Sequence, residues 1–145
     1  MKKNIKNLNE LSLFVKEFLD TLKKKNKANI VALSGDLGAG KTAFVKSVAK
    51  HFGIKEEVTS PTFVIQKEYE IEDNEQFKKM IHIDAYRLEN KLELEYLGWK
   101  EIIANPENII FMEWPEQVNG IEIPEPIEIK IKILDDESRE IGVRK

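Results

Sequence analysis

The chain contains no cysteine. That excludes a disulfide framework and any thiolate metal site. Its only arginines are Arg87, Arg139 and Arg144; the other basic residues are lysines. Fast phosphoryl transfer commonly places an arginine against the transferred phosphate, and this chain has few to offer from within itself. No apolar run approaches the roughly 20 residues needed to cross a bilayer as a helix. The N-terminal stretch M-K-K-N-I-K-N is basic, but no apolar run follows it, so it does not read as a signal peptide. A basic stripe is missing too, and the net charge is −3. Proteins that bind nucleic acid alone usually show such a stripe. The one dense basic cluster, Lys23-Lys24-Lys25-Asn26-Lys27, reads as the solvated C-terminal end of a helix, where the dipole favours cations. Its competing reading is a patch facing a partner or RNA. A soluble cytoplasmic protein, with no membrane role, is the expectation.

What the chain does carry is a phosphate-binding motif. Gly35-Asp36-Leu37-Gly38-Ala39-Gly40-Lys41-Thr42 fits G-x-x-x-x-G-K-[ST]. The flanks supply the required context. Residues 28–33 (A-N-I-V-A-L) form a short apolar run with β-branched members and predict a buried strand. Residues 43–52 place Phe44, Val45, Val48, Ala49 and Phe52 at helical spacing, with Gly53 as the C-terminal stop. Glycines let the backbone curl so that successive N–H groups face an anion, and the helix aims its positive end at the same point. Residues Asp36, Leu37, Gly38, Ala39 and Gly40 thus form the cradle. Lys41 supplies a charge for the β- and γ-phosphates, and Thr42 a hydroxyl for Mg²⁺.

At 145 residues the chain reads as one domain, residues 1–145. Asn7, with Glu10 three residues on, predicts a capped first helix whose apolar face runs from Leu8 to Leu22. Pro61 holds Ser60 extended. Residues 63–71 predict a strand and residues 71–78 a polar turn. Residues 80–84 (M-I-H-I-D) and 109–113 (I-I-F-M-E) are apolar strands that each end in a carboxylate, and residues 90–103 read as helical with a break at Gly98. Ile127, Ile129, Ile131 and Ile133 alternate with charged residues, which predicts a strand buried on one face, with residues 139–144 as its hairpin partner. The fold class that follows is α/β: a P-loop NTPase-like, mainly parallel sheet flanked by helices, with a C-terminal antiparallel hairpin.

Ligands of such sheets bind at the carboxyl ends of strands, where the phosphate loop, Asp84 and Glu113 all fall. Mg²⁺ keeps several waters and takes few protein ligands. One carboxylate therefore serves the ion, directly or through water, while the other orients the attacking water; the residues alone do not divide these tasks. Thr59, Ser60 and Thr62 lie where switch segments of triphosphatases reach back to the γ-phosphate, or else form an ordinary polar turn. His82, inside an apolar strand, reads as a hydrogen-bonded structural residue. Trp114 either packs or stacks on a ligand or partner. Asn90-Lys91-Leu92-Glu93 departs from the guanine-reading N-K-x-D pattern by Glu for Asp, so adenine is the expected base. A small-molecule or nucleoside kinase would share the loop, but an arginine-rich lid is not visible.

Taken in order, S-G-D-L-G-A-G-K-T, T-S-P-T-F, H-I-D-A-Y-R-L and F-M-E-W-P-E resemble the small bacterial tRNA threonylcarbamoyladenosine biosynthesis ATPases of the TsaE type. The resemblance spans nearly the whole chain. It implies an ATP- and Mg²⁺-dependent hydrolase that supports N6-threonylcarbamoyladenosine formation at position 37 of tRNAs reading codons that begin with A. The transfer itself belongs to a TsaB–TsaD heterodimer, which the ATPase resets between turnovers, and tRNA is met only through that complex. Carried across by motif, Lys41 and Thr42 bind phosphate and Mg²⁺, Glu113 is a metal carboxylate and Asp84 supports hydrolysis. Ser60 and Thr62 sit in the switch-like segment, and Trp114 lies beside the nucleotide. The family often has Thr after a Glu near the start of the first helix; here Glu10 is followed by Leu11 and Ser12. That leaves Ser12 or the backbone to contact the base. The usual H-x-D-L-Y-R-L carries Ala85 in place of Leu, a change of packing more than of chemistry.

Overall fold

Asn7 begins the first helix as its sequence predicts: its side chain accepts the Glu10 backbone N–H at 2.9 Å. Glu10 reaches one residue further back than in a regular capping box, accepting the Lys6 N–H at 2.6 Å. The computed structural model describes residues 1–145 except 62–64 and 119. In chain order the elements are β1 (Lys2–Ile5), α1 (Leu8–Asp20), β2 (Asn29–Ser34), α2 (Lys41–His51), β3 (Gln66–Glu70), β4 (Lys79–Asp84), α3 (Lys91–Tyr96), α4 (Trp99–Ala104), β5 (Asn108–Glu113), β6 (Ile127–Ile133) and β7 (Arg139–Arg144). The sequence-predicted strand at 63–71 is seen over Gln66–Glu70; Phe63 and Val64 lie outside the described residues.

All seven strands join one sheet in the order β1-β7-β6-β2-β5-β4-β3. The central four, β6, β2, β5 and β4, run parallel. Antiparallel strands close both edges: β7 and β1 on one side, β3 on the other. The α/β architecture and the C-terminal hairpin β6–β7 are as the sequence implies. The strand β1 is not. K-K-N-I has no alternation to signal a strand; it becomes one by pairing with β7, Lys2 opposite Gly142 through Ile5 opposite Arg139.

Alternation along the strands divides the core into two layers. On one face Val31, Leu33, Ile109, Phe111 and Ile129 pack against Phe14, Phe18, Phe44 and Val48 of α1 and α2. Phe44 sits edge-on to Phe18 at 5.9 Å between ring centroids. On the other face Ile30, Ile81, Ile83, Ile110 and Met112 meet Leu94, Trp99 and Ile102 of α3 and α4. This second layer stops short of β6, where Glu128, Lys130 and Lys132 face solvent. Gly98, at φ +85°, separates α3 from α4. The polar turn at 71–78 hides two apolar anchors, Ile71 and Phe77, and Phe77 packs edge-on to Phe52 at 6.1 Å.

Candidate nucleotide site

The chain leaves β2 at Ser34 and turns through the glycine loop into α2. Gly35 has φ +153°, and a Cβ there would stand 2.5 Å from the Ile131 carbonyl oxygen of β6. The start of the loop thus passes too close to the neighbouring strand for any side chain. Gly40, at φ +113°, is the N-cap of α2. The helix begins at Lys41, so its amino end faces the loop. Asp36, Leu37 and Gly38 are exposed at the loop's tip, and Ala39 turns inward and is buried.

Lys41 is buried, and its ammonium folds back on its own loop. It donates to the Gly35 carbonyl and to the Asp36 carbonyl at 3.1 Å. It also lies 4.1 Å from the centroid of the Trp114 ring, a cation–π contact. Burial pushes its pKa below the ordinary 10.5, opposed by the carboxylates of Glu113, Asp84, Glu116 and Asp36.

The parallel register of β2, β5 and β4 sets the acidic pair. Leu33 lies opposite Glu113, and Asp84 lies opposite Glu113. Both carboxylates are almost fully buried, at 4% and 3% exposure. Thr42 Oγ1 donates to Glu113 Oε2 at 3.4 Å. A hydroxyl and a carboxylate converging at the amino end of a helix, beside a cationic lysine, form a hard-oxygen donor set that fits Mg²⁺. Asp84 Oδ1 accepts the Tyr86 N–H at 3.0 Å, which orients its carboxylate at the strand end.

His82 is a buried, hydrogen-bonded residue, as its sequence context suggests. It is fully buried, and its Nε2 lies 2.5 Å from Glu113 Oε2. His82 and Asp84 share one face of β4, which brings the imidazole diagonally across to Glu113 of β5. Its Nδ1 has no hydrogen-bond partner among the described residues. A ring with its proton on Nε2 accounts for both facts. The imidazole therefore holds the same oxygen that Thr42 meets.

Trp114, directly after β5, sits in left-handed backbone at φ +58°. Its ring meets Tyr86 at 5.1 Å between centroids. Trp114 thus bridges the Lys41 ammonium and Tyr86. Just before β3, the Ile65 carbonyl accepts the Asp84 N–H at 2.8 Å. Ile65 itself is held at φ +69°, an uncommon conformation for a β-branched residue. Thr59 accepts a hydrogen bond from the Lys67 ammonium at 2.6 Å. Ser60 is exposed, and Thr62 lies outside the described residues.

A cavity of about 260 Å³ adjoins the loop, lined by Ile5, Leu11, Ala39, Gly40, Ala43 and Arg139, among others. Sequence reading missed most of this lining, because it joins β1, α1, the loop and β7 across the whole chain. Ser12 takes no part in it: His51 Nε2 lies 3.2 Å from Ser12 Oγ and 3.0 Å from its carbonyl oxygen. Of the three arginines, Arg139 stands against the loop carbonyls, and Arg144 pairs with Glu128 on the sheet surface.

A family model described as "Threonylcarbamoyl adenosine biosynthesis protein TsaE" matches residues 5–141. The chain belongs to the TsaE family. Among curated relatives, the tRNA threonylcarbamoyladenosine biosynthesis protein TsaE of Rickettsia typhi is 36% identical over 94% of this chain and 89% of its own length. The Bacillus subtilis protein of the same name is 39% identical over 78% of this chain and 67% of its own. The crystal structure of Bacillus subtilis YdiB superposes with a TM-score of 0.72 at 31% identity, covering 99% of this chain and 83% of that one. Among the described residues, no helix is long and apolar enough to cross a membrane.

Proposed function

We propose that this chain is a single-domain, Mg²⁺-dependent ATP hydrolase that supports threonylcarbamoylation of adenosine 37 in tRNA. It acts in the cytoplasm on a TsaB–TsaD heterodimer and meets tRNA only through that complex. The observation that carries this reading is the meeting of Lys41, Thr42, Asp84 and Glu113 at the carboxyl ends of three adjacent parallel strands in a TsaE-family chain.

Thr42 and Glu113 are the residues to hold Mg²⁺, which when bound supplies charge neutralisation at the phosphate oxygens. The backbone of residues 36–40 and the amino end of α2 receive the phosphates. Lys41 exchanges its carbonyl partners for β- and γ-phosphate oxygens. Asp84 orients a water whose oxygen bonds to the γ-phosphorus as the bond to the β–γ bridging oxygen breaks, and its carboxylate takes up the proton. The apolar cavity beside Ala39 and Ala43 receives the base, with adenine preferred. Arg139 spends its donors on carbonyls, Arg144 is paired on the sheet surface and Arg87 is engaged within the chain. Slow turnover of the isolated protein and acceleration by the heterodimer follow from that shortage.

Nucleotide binding should be visible in one ring. When Lys41 turns to phosphate it leaves the Trp114 face, so Mg·ATP should change the indole emission. The chain has two tryptophans. Trp99 is buried and donates to the Glu122 carbonyl at 3.0 Å, away from the loop. The fluorescence change should persist in Trp99→Phe and vanish in Trp114→Phe. The opposite pattern would contradict this arrangement.

The biological role is tested by reconstitution with TsaB–TsaD, substrate tRNA and the threonylcarbamoyl donor. Modification should continue past about one turnover per heterodimer only with this chain and ATP. Equal multiple turnover without it would refute the role. Transfer of the γ-phosphate to a small-molecule acceptor would favour a kinase.

A further inference from the structure

We propose that Arg139 is a positioning residue that holds the phosphate loop in its binding shape, so that the C-terminal hairpin sets the protein's affinity for nucleotide. The inference deepens the nucleotide-binding reading above and rests on it.

The argument begins with the loop's backbone. A loop that offers its N–H groups inward to phosphate turns carbonyls outward, and carbonyls at a buried residue need partners. Ala39 is 1% exposed. Its N–H closes a turn onto the Asp36 carbonyl at 3.0 Å. Its carbonyl accepts from Arg139 Nε at 2.9 Å, across 100 residues of chain. Arg139 Nη2 donates to the Gly38 carbonyl at 3.4 Å. The third donor, Nη1, returns to the Glu137 carbonyl in its own hairpin turn at 2.5 Å. Glu137 adopts φ +67° there.

One guanidinium therefore ties two consecutive carbonyls of the phosphate loop to the β6–β7 turn. Arg139 is fixed from behind as well. Its backbone pairs with Ile133 of β6 and with Ile5 of β1. The side chain leaves a three-strand ladder and ends on the loop. The same residue walls the cavity beside Ala39 and Gly40.

The planar fork is what the geometry uses. Nε and Nη2 reach two carbonyls while Nη1 holds a third. A lysine keeps the charge but carries its donors on one nitrogen atom. Charge alone would thus be preserved by Arg139→Lys, and loop geometry would not. Release of the loop carbonyls would let residues 36–40 sample shapes in which their N–H groups no longer converge, a loss of preorganisation shared by every ligand that binds through phosphate.

The test measures binding of Mg·ATP and of inorganic tripolyphosphate to the full chain by calorimetry, for the wild type, Arg139→Lys and Arg139→Gln. Amide hydrogen exchange at residues 36–40 is followed in parallel. Both variants should bind both ligands roughly ten-fold more weakly, with the ratio of the two affinities kept. Loop amides should exchange faster while amides of the central strands stay protected. Wild-type affinity in both variants would overturn the inference. So would full recovery by lysine, which would make Arg139 a point charge. Weakened ATP binding with unchanged tripolyphosphate binding would also overturn it, leaving Arg139 a wall of the base cavity only. A wild-type chain that binds neither ligand would refute the nucleotide reading itself, and this inference with it.

Discussion

Lys41→Ala is expected to lower Mg²⁺-dependent ATP hydrolysis by at least ~100-fold, the scale on which removal of a preorganised charge-stabilising group acts. The residue is buried, and its ammonium stands among Gly35 O, Asp36 O and the Trp114 ring. Among the described residues, the other cation at the loop, Arg139, is held by the carbonyls of Gly38, Ala39 and Glu137. Stability should respond much less than activity. Burial of the ammonium costs solvation, and the surrounding carboxylates offset only part of that, as the lowered Lys41 pKa indicates. Alanine removes both the cost and the compensation. Steady-state kinetics and thermal unfolding on the same preparation separate the two effects. A variant that keeps a tenth or more of wild-type turnover would remove Lys41 from the proposed chemistry.

Glu113→Gln is expected to lower turnover on a similar ~100-fold scale and to raise the Mg²⁺ concentration needed for half-maximal activity. The amide keeps the shape of the side chain and an oxygen for the His82 N–H, so the fold should be nearly unaffected. Glu113→Ala should lose activity to the same degree and stability as well. It leaves His82, already without a partner at Nδ1 among the described residues, with neither ring nitrogen hydrogen-bonded to them in a fully buried place. That should cost about 1–3 kcal/mol in denaturant unfolding. Asp84→Asn divides the two carboxylates. If Asp84 orients water and Glu113 holds the ion, Asp84→Asn lowers kcat without moving the Mg²⁺ midpoint. A midpoint shift in Asp84→Asn and none in Glu113→Gln would reverse the assignment.

The parts of this fold that were legible in the sequence are those coded by local pattern. The alternation of Ile127 to Ile131, the helical spacing of Phe44, Val45 and Val48, the Asn7 cap and the Gly98 break are each set by residues close together in the chain. Each recurs in the structure within a residue or two. The phosphate loop was legible because a strand and a helix flank it directly. What escaped is set by pairing between distant segments. β1 has one buried residue, Ile5, and is a strand only because β7 offers it an edge. Arg139 reaches the loop only because the hairpin folds back beside β2. His82 is buried and hydrogen-bonded as its sequence suggests, but its partner, Glu113, is set by the β4–β5 register. Ser12, an acceptable base contact by position, is drawn to His51 by the packing of α1 on α2.

In the proposed function, one site hydrolyses ATP under the control of a partner. The most direct measurement is Mg²⁺-dependent ATP hydrolysis by the chain alone and with the proposed TsaB–TsaD heterodimer, with Lys41→Ala as the control. Slow turnover alone, strong stimulation by the heterodimer, and loss of that stimulated activity in the variant are the results expected of the proposed function. Turnover that is fast alone and indifferent to the heterodimer, or stimulation that survives Lys41→Ala, would contradict it.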